Sequence, residues 1–336
     1  MNYLVLKQRI YLVISVLTLI VLGSGYGSCT KFSDRLSDSA IVALDSFHHC
    51  QYMARSRGIG AAGRRSEQFD YADLLSRHTT AEQLMEIANT DTSRITRLWA
   101  YRVLLKKADN QVIDVLKQAL KDTTYVEMKS GCSGFEEHYN RTAISIYRYD
   151  SYELKLSNQL RFSLDSLVFF DYMKPCGFER GLLMDFKPHK IYYATVIEEA
   201  DKGNDAILPL LAQYKIPNDR QRINKLLKAN LKKAGVCSDE ACEAISNWND
   251  PAFEWYAKAA CQATIKQEYY YADEVLQLLC AYPAPWSYQI LKKLLTQKGD
   301  YSNSDTAKDY LTELYKTHPV PPIFKPLYDR YVARKK

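Results

Sequence analysis

Apolar positions recur with a helical period along most of this chain. Val112, Val115, Leu116, Ala119 and Leu120 follow an i, i+3, i+4, i+7, i+8 stripe, which predicts an amphipathic helix. Ile41, Leu44, Phe47 and Gln51 mark an earlier helix, and Leu84, Ile87 and Ala88 another. The latter follows overlapping capping boxes, Thr79 with Glu82 and Thr80 with Gln83. Ala100, Val103 and Leu104 share a face, and Ala108-Asp109-Asn110 then breaks the pattern. Two helices joined so briefly must run antiparallel. In the carboxyl half, Ile207, Leu210 and Leu211, then Ile223, Leu226 and Leu227, predict further helices. Asp250-Pro251 reads as an N-cap with proline at the first helical position, ahead of Phe253, Tyr256, Ala257 and Ala260. Val275, Leu278 and Leu279, then Ile290, Leu291, Leu294 and Leu295, then Tyr310, Leu311 and Leu314, continue the series. Leu160, Leu164, Leu167 and Val168 are helical too, whereas Ala143 to Tyr147 alternates like a short strand. Pro175, Gly177, Gly181 and Pro188 mark a loop-rich junction. The expected architecture is all-α: an α-solenoid of stacked antiparallel helix pairs, against the alternative of an irregular helical globule.

The amino terminus reads as an address. Lys7 and Arg9 precede Ile10 to Leu22, an apolar run broken only by Ser15 and Thr18. Its helical length is about 20 Å, short of the roughly 30 Å hydrocarbon core, so a signal peptide is expected over residues 1–28. Tyr26-Gly27-Ser28-Cys29 resembles a bacterial lipobox, with Tyr26 where a Leu-like residue is usual. The resemblance implies cleavage before Cys29 and lipidation of Cys29. That places the mature chain on a membrane of the bacterial cell envelope, periplasmic or at the surface, with the lipid as its membrane partner.

Arg97-x-x-Ala100-x-x-Val103-Leu104 resembles the first helix of a HEAT repeat, and Leu120-x-Asp122 is similar to the exit of the second. Asp91, six residues before Arg97, is similar to the Asp and Arg that ladder between HEAT units. The next unit departs, with Met128 where Arg would follow Asp122. GIGAAG, then SEQF, then a HEAT-like unit is similar to a group of bacterial lipoproteins, a resemblance that brings no activity with it. The implied organisation is a signal peptide (1–28), a lead helix with a Gly/Arg-rich loop (29–68) and a HEAT-like helical repeat domain (69–336).

GIGAAG, Gly58 to Gly63, matches GxGxxG literally. A dinucleotide finger needs a strand before it and a helix opening at it. QYMARSR before it reads as helical, and Arg64 and Arg65 follow it, so a mobile basic loop is expected instead. Arg55, Arg57, Arg64 and Arg65 could touch anionic lipid if an anchor holds them nearby.

Of eight cysteines, Cys132 and Cys176 sit in similar Gly-containing loops and form a candidate disulfide, the alternative being two ordinary loop thiols. Cys261 and Cys280 fall in helical patterns as buried thiols. Cys237 and Cys242 match no common zinc template. His48-His49-Cys50 looks like a ligand cluster, but neighbours on a helix diverge, so no metal site is expected.

Formal charge is +6, falling by two if Lys7 and Arg9 are removed, and no dense basic run argues for nucleic acid. Neither GxSxG, HExxH nor GxxxxGK[ST] occurs, and no catalytic residue or cofactor is expected. Glu136-Glu137 and Glu198-Glu199 could in principle pair for glycoside chemistry, the plainer reading being solvated faces. Tyr is abundant, at 26 copies, and Tyr269-Tyr270-Tyr271 and Trp286-Ser287-Tyr288 could contribute to a surface or line the core. Asp38-Ser39-Ala40, Asp122-Thr123-Thr124, Asp165-Ser166-Leu167 and Asp305-Thr306-Ala307 resemble an O-glycosylation sequon, the preferred reading being plain helix-start chemistry. The expectation is a lipid-anchored, non-catalytic scaffold that binds a protein or peptide of the envelope. The alternatives are a glycan-binding protein of the envelope and a glycan hydrolase.

Overall fold

The computed structural model describes residues 35–60, 62–151, 154, 156–183, 186–234, 238–265, 272–296 and 303–333. The expected signal peptide, Cys29, Cys237 and Tyr269 to Tyr271 lie outside the described residues. The chain divides into two compact units, Met1–Tyr172 and Met173–Lys336, where the sequence reading had one repeat domain from 69 onward. No described helix is long and apolar enough to cross a membrane.

In the first unit, helix α1 (Asp38–His48) is capped by the Ser37 hydroxyl, which accepts the Ala40 amide at 3.3 Å. It buries Ala40, Ala43, Leu44 and Phe47. Next comes a hairpin of β1 (Met53–Ile59) and β2 (Arg64–Arg65), where helix and mobile loop were expected. Gly60 (φ +74°) and Gly63 (φ +59°) occupy the left-handed region that reverses the chain. Met53 and Ala54 are both fully buried, so β1 lacks the alternation that would betray a half-buried strand. A parallel partner for β1 requires a long crossover. Helices α2 (Gln68–His78), α3 (Ala81–Thr90), α4 (Arg94–Lys106) and α5 (Val112–Ala119) supply it, leading to β3 (Tyr125–Gly131) and the antiparallel β4 (Ser133–His138). Sheet order is β2-β1-β3-β4. The molecule is therefore mostly helical but carries a small mixed sheet, which corrects the all-α expectation.

Of the two predicted capping boxes, Thr80 with Gln83 forms: the Gln83 amide reaches Thr80 Oγ1 at 3.3 Å and the Thr80 amide reaches Gln83 Oε1 at 2.9 Å. Thr79 instead donates to the Leu75 carbonyl. The α5 stripe is buried as its spacing predicts. Ala143 to Tyr147, expected as a strand, lies inside helix α6 (Tyr139–Ser151). Only Arg141, Ser145 and Tyr149 escape burial between positions 141 and 150, at helical i, i+4, i+8 spacing. A helix buried almost all round fills consecutive positions with apolar residues and so imitates a strand. Helix α7 (Asn158–Leu167) completes the unit and runs into a π-helical turn, Val168–Met173. Helices α2, α4 and α6 pack in sequence, as do α3, α5 and α7.

The second unit begins with short helical turns at Lys174–Cys176 and Arg180–Leu183, in the predicted junction. Then follow α8 (Lys190–Asp201), α9 (Leu208–Gln213), α10 (Arg220–Ala234), α11 (Asp239–Trp248) and α12 (Glu254–Thr264). The unit ends with α13 (Ala272–Ala281), α14 (Pro285–Thr296), α15 (Asn303–Thr317) and α16 (Lys325–Tyr331). Helices α8, α10, α12 and α14 pack each on the next of that set, and α9, α11, α13 and α15 do the same. Such next-but-one packing follows when each short amphipathic helix must bury its stripe on neighbours of the same orientation class. Asp250 caps the turn ahead of α12 by accepting the Ala252 amide at 3.0 Å, as Asp250-Pro251 predicts.

Candidate functional site

Helix α10 carries six cations and no acid: Arg220, Arg222, Lys225, Lys228, Lys232 and Lys233. Its apolar stripe, Ile223, Leu226 and Leu227, is buried as its spacing predicts. The opposite stripe, Gln221, Lys225, Lys228 and Lys232, is exposed. Beside this stripe an open groove of about 1030 Å³ is lined by Asp201, Asn218, Gln221, Arg222, Asn224, Lys225, Lys228, Ala252 and Trp255.

The groove is rigid at two points. Arg222 Nε donates to Asp201 Oδ1 at 2.6 Å and its Nη2 to Oδ2 at 3.2 Å, while Nη1 reaches Asp219 Oδ1 at 2.7 Å. Asp219 is 2% exposed and also accepts the Tyr193 hydroxyl at 2.8 Å. Desolvation, then the bond to Asp219, pushes the Tyr193 phenol up to about 12. The hydrogen bond from Arg222 holds the Asp201 carboxyl below its ordinary value. At the other point, Trp255 Nε1 donates to Asn224 Oδ1 at 2.7 Å, and the indole meets Tyr256 edge-on, ring centroids 5.7 Å apart. The indole stays 38% exposed.

Asn218, Gln221, Lys225 and Lys228 have no side-chain hydrogen-bond partner among the described residues. With Asp201 engaged by Arg222, the groove offers chiefly N–H donors and one aromatic face. Sequence reasoning took the apolar stripe of α10 and passed over its polar one. The available signal was the run of cations unrelieved by any acid.

The residues singled out from sequence are not brought together there. Asp91 and Arg97 do not pair with each other. Arg97 Nη2 donates to Asp122 Oδ2 at 2.8 Å, within the same helix pair. Asp91 accepts the Ser93 amide at 2.7 Å and lies 3.0 Å from His48 Nε2. His49 and Cys50 bond to backbone carbonyls of their own helix, at Asp45 and Ser46. Among the described residues, no group of three or more His, Cys, Asp or Glu could hold a metal ion. Three of the four loop arginines have internal partners: Arg55 lies over the Tyr149 ring, Arg57 over Phe69, and Arg65 pairs with Asp70. Glu137 pairs with Arg141 at 3.6 Å, and Glu198 and Glu199 both hold Lys202. Trp286 Nε1 donates to Glu254 at 2.8 Å and Ser287 is buried.

Cys132 and Cys176 are free, exposed thiols, which corrects the candidate disulfide. Each sits in its own turn beside a positive-φ glycine, Gly131 or Gly177, and those glycines answer to local backbone reversal. Cys242 is disulfide-bonded, and its partner lies outside the described residues. Burial pushes Cys261 up to about 12 and Cys280 up to about 11. A raised thiol stays protonated until the pH nears that value, and only the thiolate alkylates. Iodoacetamide near pH 8 is therefore expected to label Cys132 and Cys176 at least about tenfold faster than Cys261, read by peptide mass spectrometry. Equal rates would contradict the burial of Cys261.

No protein-family model matches the chain, and no curated protein or solved structure matches it.

Proposed function

We propose that this is a lipid-anchored protein of a bacterial cell envelope whose helical-repeat scaffold binds a protein or peptide partner and catalyses no reaction. The observation that carries the reading is the α10–α12 groove: open, some 1030 Å³, and lined by unengaged carboxamides, lysines and a pinned indole. Carboxamides offer a donor and an acceptor together, as a peptide group requires. The next-but-one helix packing supports a HEAT-like solenoid, an architecture whose long surfaces hold extended partners. Tyr26-Gly27-Ser28-Cys29 supports the anchor, and the disulfide at Cys242 fits an oxidising compartment. A second reading, binding of an envelope glycan, is favoured by the exposed Trp255 indole, whose flat apolar face suits a sugar ring as well.

A photo-crosslinking residue placed at Ala252 in the groove, and separately at exposed Val42 on the first unit, tests this in cells. The expected result is a protease-sensitive adduct from position 252 alone, on chains whose first residue is an acylated Cys29 by mass spectrometry. No adduct at 252, or equal adducts at both positions, would discard the groove as the binding surface. An unmodified amino terminus would discard the anchor.

A further inference from the structure

We infer that the groove takes an acidic, extended peptide segment, with carboxylate side chains set against Lys225 and Lys228 and the main chain against the carboxamides. This rests on the reading of the groove as a peptide-binding surface and adds the chemistry of its occupant.

Three observations converge on it. First, the unpaired charges of the groove, Lys225 and Lys228, are both positive. The one carboxylate in the groove, Asp201, is paired through both oxygens with Arg222, so a cationic ligand meets no uncompensated negative charge. An occupant rich in acceptors, and negative, complements what remains. A neutral hydroxyl accepts there too but carries no charge to set against the lysines.

Second, the spacing suits a strand-like chain. Lys225 and Lys228 follow Gln221 on one exposed stripe, and the stripe continues to Lys232. At 1.5 Å per residue, Lys225 and Lys228 stand about 4.5 Å apart along the helix axis, and Lys228 and Lys232, beyond the groove lining, about 6 Å. Alternate side chains of an extended peptide project to one side about 6.6 Å apart. The flexible lysine stems make up the difference, so carboxylates at every second position reach successive lysines.

Third, the groove is built rather than incidental. The buried Asp219 carboxylate fixes Arg222, and Asn224 fixes the Trp255 indole, so one guanidinium and the aromatic wall are set before a ligand arrives.

The test is calorimetric titration of the full mature chain with a short peptide alternating Glu and Ser. Matched peptides carry Gln or Lys in place of Glu, and polygalacturonate serves as the anionic glycan. The Glu peptide is expected to bind about tenfold or more tightly than the Gln peptide, with affinity falling as salt rises. K225E/K228E should lose that preference and gain binding of the Lys peptide, a swap that a misfolded variant cannot produce. Equal binding of the Glu and Gln peptides would overturn the acidic inference and leave the peptide groove standing. Binding of polygalacturonate with no peptide bound would overturn it in favour of an anionic glycan. Failure of every probe, together with no adduct from position 252, would remove the binding groove itself.

Discussion

Replacing Gln68 with Leu is expected to cost the first unit about 3 kcal/mol or more of stability, because it strands two buried donors and a part-buried carbonyl at once. Gln68 is 4% exposed and stands where helix, strand and core meet. Its Oε1 accepts the Ala54 amide at 2.9 Å and the Trp99 indole N–H at 2.8 Å, and its Nε2 donates to the Tyr52 carbonyl at 2.8 Å. Leucine matches the volume and offers none of these bonds. A buried polar group left without a partner costs about 1–3 kcal/mol, and two share one site here beside the part-buried carbonyl. Trp99 is fully buried, stacked on Phe47 and edge-on to Phe69 at 5.0 Å, so its fluorescence reports the transition. Urea unfolding should show an earlier midpoint with an unchanged slope. A loss under about 1 kcal/mol would mean that the three groups find other partners.

The second large effect concerns Arg102 and Asp150, both 6% exposed. The guanidinium donates from Nε at 2.6 Å and from Nη2 at 2.8 Å, one bond to each carboxylate oxygen. It also lies over the Phe69 and Trp99 rings, 5.1 Å from each centroid. Asp150→Ala leaves a cation in the core with no counter-charge, and about 3–5 kcal/mol of destabilisation is expected. The paired replacement R102M/D150L removes both charges and keeps the volume, and should recover most of that loss. The comparison separates the penalty of an orphaned charge from the worth of the pair. If the double variant is as unstable as D150A, the ion pair itself supplies the stability.

Several elements were legible in the sequence because their burial is one-sided. The stripes of α5, α10 and α14 are apolar on one flank and polar on the other, and spacing alone finds them. Legibility fails where burial is nearly complete. In α6 the covered positions run together and mimic alternation, and in β1 the adjacent Met53 and Ala54 are both enclosed, so neither period survives. The candidate groove was hidden for a different reason. Polar residues on the outer flank of a helix usually mean only that the flank is wet, and Asp201, Gln221 and Trp255 come from three separate stretches. Only coordinates place them along one channel. The free thiols Cys132 and Cys176 make the same point, since similar loops say nothing of distance.

The parallel pairing of β1 with β3 also sets an order on assembly. Ser56 Oγ accepts the Gly131 amide at 3.0 Å across 75 positions, and no earlier segment can substitute for β3 beside β1. Closing so distant a contact is slow relative to winding the helices between. A chain emerging amino terminus first therefore carries β1 with a bare edge until the second hairpin follows, and in that interval a chaperone would find it open.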